Sequence, residues 1–183
     1  MDYPKVSMSI ASVLVVVFLL YITTIIKTIP CGKDLLSVFY SNFTHIDPVH
    51  IAGNLFALYA LARVERAMGP KKFIGIVSFL LVFTTVVEVI IHKIFSHIPC
   101  SIGFSGVLFG ITTWELVTSR DIDYAMILSI IILVGSASMR SSKVSLMGHA
   151  VGASAGVVGG IVWNRIARLQ RGGSIGGDMM GYI

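Results

Sequence analysis

Residues 71–95 read KKFIGIVSFLLVFTTVVEVIIHKIF. Two lysines open the segment, and between Phe73 and Ile91 the one ionisable side chain is Glu88. An apolar run of about 18 or more residues is long enough to cross a bilayer as a helix. Comparable runs recur on both sides of it. The chain of 183 residues is 55% hydrophobic and 13% charged, with a mean hydropathy of +0.88. A soluble domain carries about twice that charged fraction, roughly 25%. The composition therefore reads as a polytopic membrane protein. One compact bundle accounts for the length and leaves no room for a second domain.

The pattern predicts an all-α chain of six spans, at about 6–29, 48–68, 71–95, 103–119, 122–139 and 145–167. They form a single domain over residues 1–171, followed by a flexible glycine-rich tail over 172–183. The first run is too long for a secretory core and lacks a clear cleavage site, so it reads as a retained helix. The net charge of +5 does not point to nucleic acid, because the basic residues sit at the ends of apolar runs, where they anchor helices. Lys5, Arg63, Arg66, Lys71, Lys72, Arg120, Arg165, Arg168 and Arg171 fall on one side, nine in all. Lys27, Lys33, Lys93, Arg140 and Lys143 make five on the other. Basic residues favour the cytosolic side, which predicts a multi-pass protein with both termini in the cytosol. The loops near 30–47, 96–102 and 140–144 then face the lumen or exterior.

Three segments enter the membrane from that second side. One is Gly103-Phe104-Ser105-Gly106. From Arg120 back to Ser105 the helix rises roughly 23 Å, against a hydrocarbon core about 30 Å thick. Ser105 should therefore lie below the surface, and the preceding loop must dip to reach it. Irregular backbone at that depth is tolerated only inside protein or beside a watery cavity. Taken alone, a serine between Gly103 and Gly106 reads as small-residue helix packing.

The second segment, Gly148-His149-Ala150-Val151-Gly152, changes that. Ionisable residues within membrane helices are costly and face a cavity or a partner. Gly152, Gly156 and Gly160 form one smooth stripe, and Gly106 and Gly110 form another. Such stripes let helices approach closely, which would bring His149 to Ser105. Serine is a weak nucleophile until an adjacent base takes its proton, and imidazole can do so near neutral pH. Glu88 lies near the same face, but nothing in the sequence ties it to His149, so a dyad is the economical reading.

The third segment is His45-x4-His50-x3-Asn54. His50 and Asn54 share a helix face at i and i+4. Both can donate to a developing oxyanion, as can the Ser105 amide at a helix start. His45 precedes the helix and could brace the loop. Polar residues that cap a helix and join two helices would account for His50 and Asn54 equally well.

Together the three segments resemble the motif set of the rhomboid intramembrane serine proteases. Order, spacing and assignment to the second, fourth and sixth helices all agree, and Glu65-Arg66-x2-Gly69 is similar to the family's pattern. The resemblance implies a six-transmembrane-helix rhomboid-like bundle. It also implies a serine endopeptidase that cuts within or beside the transmembrane segments of membrane-protein substrates. Ser105 would be the nucleophile and His149 the base, with His50, Asn54 and the Ser105 amide as oxyanion hole. His45, Gly103, Gly106 and Gly152 would support them. Phe109 matches the aromatic position that stacks on the histidine, and plain core or lipid packing explains it equally well. The active site would open toward the lumenal or extracellular side. No metal or cofactor is implied.

Two departures stand out. The first lumenal loop lacks the Trp-Arg pair of many members. Phe104 is bulkier than the residue common there and would narrow the cavity. A non-catalytic rhomboid-like binding or quality-control factor is the alternative function; such relatives generally lack the serine or histidine, and this chain keeps both. A transporter using Glu88 and His92 as a proton path would be favoured by inverted repeats, and the sequence has none. Cys31 and Cys100 both fall in loops on the non-cytosolic side, where a disulfide can persist. Two unpaired thiols is the plainer reading, since sequence sets no distance.

Overall fold

The computed structural model describes residues 3–28, 34–95, 97–119, the short pieces 124–125, 127–128 and 131–132, and 146–178, with side chains of the last segment described to Gln170. Every regular element among them is helical. In chain order these are α1 (Lys5–Ile22), α2 (Leu35–Ser41), α3 (Pro48–Met68), α4 (Pro70–Ile94), α5 (Ser105–Thr118) and α6 (Leu146–Asp178). Three are long and apolar enough to cross a membrane: α1, α4 and the Leu146–Gln170 part of α6. The other two expected spans among the described residues fall short of that test for physical reasons. The last turns of α3 carry Arg63, Glu65 and Arg66, and α5 has only 14 residues, about 21 Å of helix. The span expected over 122–139 lies largely outside the described residues.

Local chemistry sets the boundaries. α1 stops at Ile22 rather than near residue 29, because the chain turns left-handed at Thr24 (φ +60°) and the Ile26 N–H bonds back to the Leu20 carbonyl. α2 was not expected, and it sits in the segment read as a plain loop. Asp34 caps it, accepting from the Ser37 amide at 3.0 Å and the Ser37 hydroxyl at 2.6 Å. Those bonds hold the Asp34 carboxyl below its ordinary pKa. At α3, Asp47 accepts from the Val49 amide at 2.7 Å, and Pro48 fills the first turn. Gly69 (φ +85°) ends α3 and Pro70 starts α4. At the far end α6 runs to Asp178, so the segment expected as a flexible tail from 172 is helical to that residue. It contains glycines but no proline, and adding residues to an existing helix is far easier than nucleating one.

Three long-range contacts fix which helix ends lie together. Pro4, at the N-terminus of α1, supplies no cap. The buried Glu65 carboxyl, from the last turn of α3, takes its place. It accepts from the Val6 and Ser7 amides at 2.8 Å each and from the Ser7 hydroxyl at 2.7 Å. A carboxyl at a helix N-terminus satisfies orphan donors and complements the dipole. Arg63 pairs with Glu115 at 2.6 Å, which sets the end of α5 beside the end of α3. Asn164 of α6 donates to the Val117 carbonyl at 3.0 Å. The start of α1, the ends of α3 and α5 and the start of α4 therefore share one end of the bundle. The starts of α3, α5 and α6 share the other. The core between them is built from Leu14, Leu58, Leu61, Phe73, Leu80, Phe104, Leu108 and Ile111, all essentially inaccessible.

Candidate active site

Ser105 is the first residue of α5. The first amides of a helix have no intrahelical acceptor, and Phe104, the preceding residue, gives no side-chain cap. Gly103 (φ +101°) makes the sharp approach to that helix start, and its N–H donates to the Ser41 carbonyl at 2.9 Å. A Cβ at position 103 would sit 2.5 Å from His50 Cε1 and 2.7 Å from His50 Nε2. Only glycine fits, on backbone grounds and on steric ones.

α5 and α6 meet main chain to main chain. A Cβ on Gly152 would run into the Gly106 carbonyl, one on Gly156 into the Gly110 carbonyl and Thr113, and one on Gly106 would come within 3.0 Å of the Gly148 carbonyl. Thr113 Oγ1 donates across the interface to the Ala153 carbonyl at 2.8 Å. This contact brings Ser105 Oγ and His149 Nε2 to 2.8 Å, the reach required of a nucleophile and its base. Both residues are buried. The Phe109 ring lies against His149, with centroids 4.6 Å apart and planes tilted by 33°, and Phe109 also packs against the hydrophobic core.

His45, His50 and Asn54 are buried together on the loop before α3 and its first turns. The two imidazoles meet at 4.9 Å between centroids. Asn54 Nδ2 donates to the His50 carbonyl at 2.9 Å, within its own helix rather than across to a neighbour. Asn54 Oδ1 and the ring nitrogens of His45 and His50 have no hydrogen-bond partner among the described residues. Burial, then the nearby His50, pushes the His45 pKa down to about 3, so His45 is neutral at physiological pH.

Other features differ from expectation or were not foreseen. Phe104, whose bulk was expected to narrow the cavity, is fully buried in the core, with its ring 5.9 Å from that of Phe43. Glu88 is buried, and the Ser101 hydroxyl hydrogen-bonds it. Both approach Gly148, where a Cβ would lie 2.7 Å from Ser101 Oγ and 3.2 Å from Glu88 Oε1. Cys100 is disulfide-bonded, against the expectation of unpaired thiols; Cys31 lies outside the described residues. The Ser41 carbonyl, Ser101 and Thr113 escaped the sequence reading because main-chain acceptors and lone hydroxyls leave no spacing signal.

The sequence signature of the Rhomboid domain matches residues 32–165. The chain belongs to the rhomboid family, and with its long apolar helices it is a multi-pass integral membrane protein. It is 29% identical over 132 residues to "Putative rhomboid protein L523" of Acanthamoeba polyphaga mimivirus, a match covering 69% of this chain and 74% of that one. It is 26% identical over 144 residues to "Rhomboid-like protein 14, mitochondrial" of Arabidopsis thaliana, covering 69% of this chain and 42% of the plant protein.

Proposed function

We propose that this protein is an intramembrane serine endopeptidase with a Ser105–His149 dyad, built as a single six-helix domain in which the segment near 122–139 supplies the remaining span. The 2.8 Å separation of Ser105 Oγ and His149 Nε2 carries this reading. His149 takes the Ser105 proton as Oγ attacks a substrate carbonyl, and the proton then passes to the leaving amine. Water, activated by the same imidazole, releases the acyl group. The developing oxyanion lies near the uncapped start of α5, with the Ser105 amide, His50 and Asn54 as donors. Phe109 and the α5–α6 contact hold the imidazole in place.

Substrates are transmembrane segments with small or helix-breaking residues near one end, because an intact helix keeps its carbonyls in its own hydrogen bonds. Since Ser105 and His149 are buried, substrate entry is a step separate from chemistry. The excess of basic residues at the opposite end supports cytosolic termini and a site opening to the lumen or exterior. Fluorophosphonate labelling and cleavage of a transmembrane reporter in liposomes test the reading. Wild type should label and cut, and Ser105→Ala should do neither. Wild type that does neither would leave a non-catalytic binding protein in its place.

A further inference from the structure

The end of the bundle remote from Ser105 and His149 carries a groove of about 310 Å³ between α4, α5 and α6. Its walls are apolar, formed by Phe79, Trp114 and Trp163 among others, and Gly75 keeps one side open. A Cβ on Gly75 would meet nothing within 4 Å. Trp114 lies nine residues along α5 from Ser105, about 14 Å away, so the groove is separate from the candidate active site. Trp163 packs edge-on against Trp114 with centroids 5.8 Å apart. Tryptophan favours the headgroup level of a bilayer, which sets the depth of this end of the groove.

Lys71 and Lys72 are exposed at the rim. Lys72 Nζ stands 6.0 Å from the centre of the Trp163 ring, a cation–π distance. Glu115, the nearest acidic residue on α5, is already paired with Arg63, and no carboxylate pairs with either lysine among the described residues. Two lysines without a carboxylate partner among the described residues, set above an apolar slot, match an amphiphile with a negative head and a hydrocarbon tail. Basic pockets between transmembrane helices take anionic headgroups for this reason.

We propose that this groove is a binding site for one anionic glycerophospholipid, with its headgroup on Lys71 and Lys72 and an acyl chain against Phe79, Trp114 and Trp163. The site does not depend on the protease reading. The test is native mass spectrometry of the full chain released from nanodiscs holding equal phosphatidylglycerol and phosphatidylcholine with the same acyl chains. Wild type should retain one phosphatidylglycerol in preference to phosphatidylcholine. Each lysine near a charged headgroup contributes about fivefold in affinity, so Lys71→Gln with Lys72→Gln should remove the preference. Gly75→Leu, which fills the groove from an open position and leaves the lysines in place, should also lower retention. Equal retention of the two lipids by wild type would overturn the proposal. So would a preference that survives the double lysine variant, or undiminished retention in Gly75→Leu. A dimer in the same spectra, lost on Gly75→Leu, would assign the groove to a second copy of the chain and overturn it as well.

Discussion

Gly152→Ala adds one carbon at the tightest point between α5 and α6. That Cβ would lie 2.5 Å from the Gly106 carbonyl carbon and 2.9 Å from Gly106 Cα. Carbon atoms in ordinary contact stand about 3.5–4.0 Å apart, so the two helices must separate by about 1 Å. The Ser105–His149 separation of 2.8 Å would then open toward roughly 3.8 Å, beyond the catalytic reach of about 2.6–3.2 Å. A misplacement of about 1 Å lowers rate on the order of 10²-fold. The overpacking itself costs about 1–3 kcal/mol of stability. The assay is the rate of fluorophosphonate labelling in detergent, normalised to folded protein by thermal unfolding. Gly75→Ala is the control, since a Cβ there meets nothing within 4 Å, and it should label at the wild-type rate. Gly152→Ala labelling at that same rate would refute the claim that backbone contact sets the dyad distance.

Three further outcomes follow from the same geometry. His50→Ala and Asn54→Ala should each lower reporter cleavage on the order of 10²–10³-fold, and the double variant should lose less than the product of the two; wild-type rates in both single variants would remove them from the oxyanion hole. Glu65→Ala strands two amides and a hydroxyl at the start of α1 and should cost about 3 kcal/mol, measured as a lower thermal midpoint. His45 is held neutral with a pKa of about 3 against an unperturbed 6.5, so the unfolded chain takes up the proton first as pH falls. Its linkage should therefore reduce stability progressively as pH drops from about 6.5 toward 3; His45→Gln should flatten that dependence of the thermal midpoint, and an unchanged slope would mean that His45 is not buried neutral.

The membrane class and the meeting of Ser105 with His149 were legible because their physics is written in residue type and spacing. Apolar runs report bilayer crossing, and glycines four apart report a face that another backbone can touch. Gly152 and Gly106 do meet, and His149 follows. The cap on α1 was not legible, because Glu65 lies 58 residues from Ser7 and only the folded chain joins them. α2 has seven residues, too few for periodicity to register. Sequence suggested that Phe104 would narrow the cavity; its burial in the core beside Phe43 rests on tertiary packing that residue type alone does not report. For Cys100, pairing depends on a distance, which no residue count supplies.

The α5–α6 contact also has a consequence for how this protein can change over evolutionary time. In most cores an enlarged side chain can be accommodated later by trimming the one opposite. The atoms facing Gly152 are the carbonyl and Cα of Gly106, which every amino acid possesses, so no substitution at the neighbouring position can make room. Gly110 differs in part: Leu80 on α4 supplies its nearest atom, at 2.7 Å, and could be trimmed, while the Gly152 carbonyl oxygen, at 3.0 Å, could not. A paired exchange with Leu80 would therefore relieve only the milder part of the crowding at Gly110, while Gly152 has no second-site suppressor at its contact and is fixed for as long as Ser105 and His149 must touch.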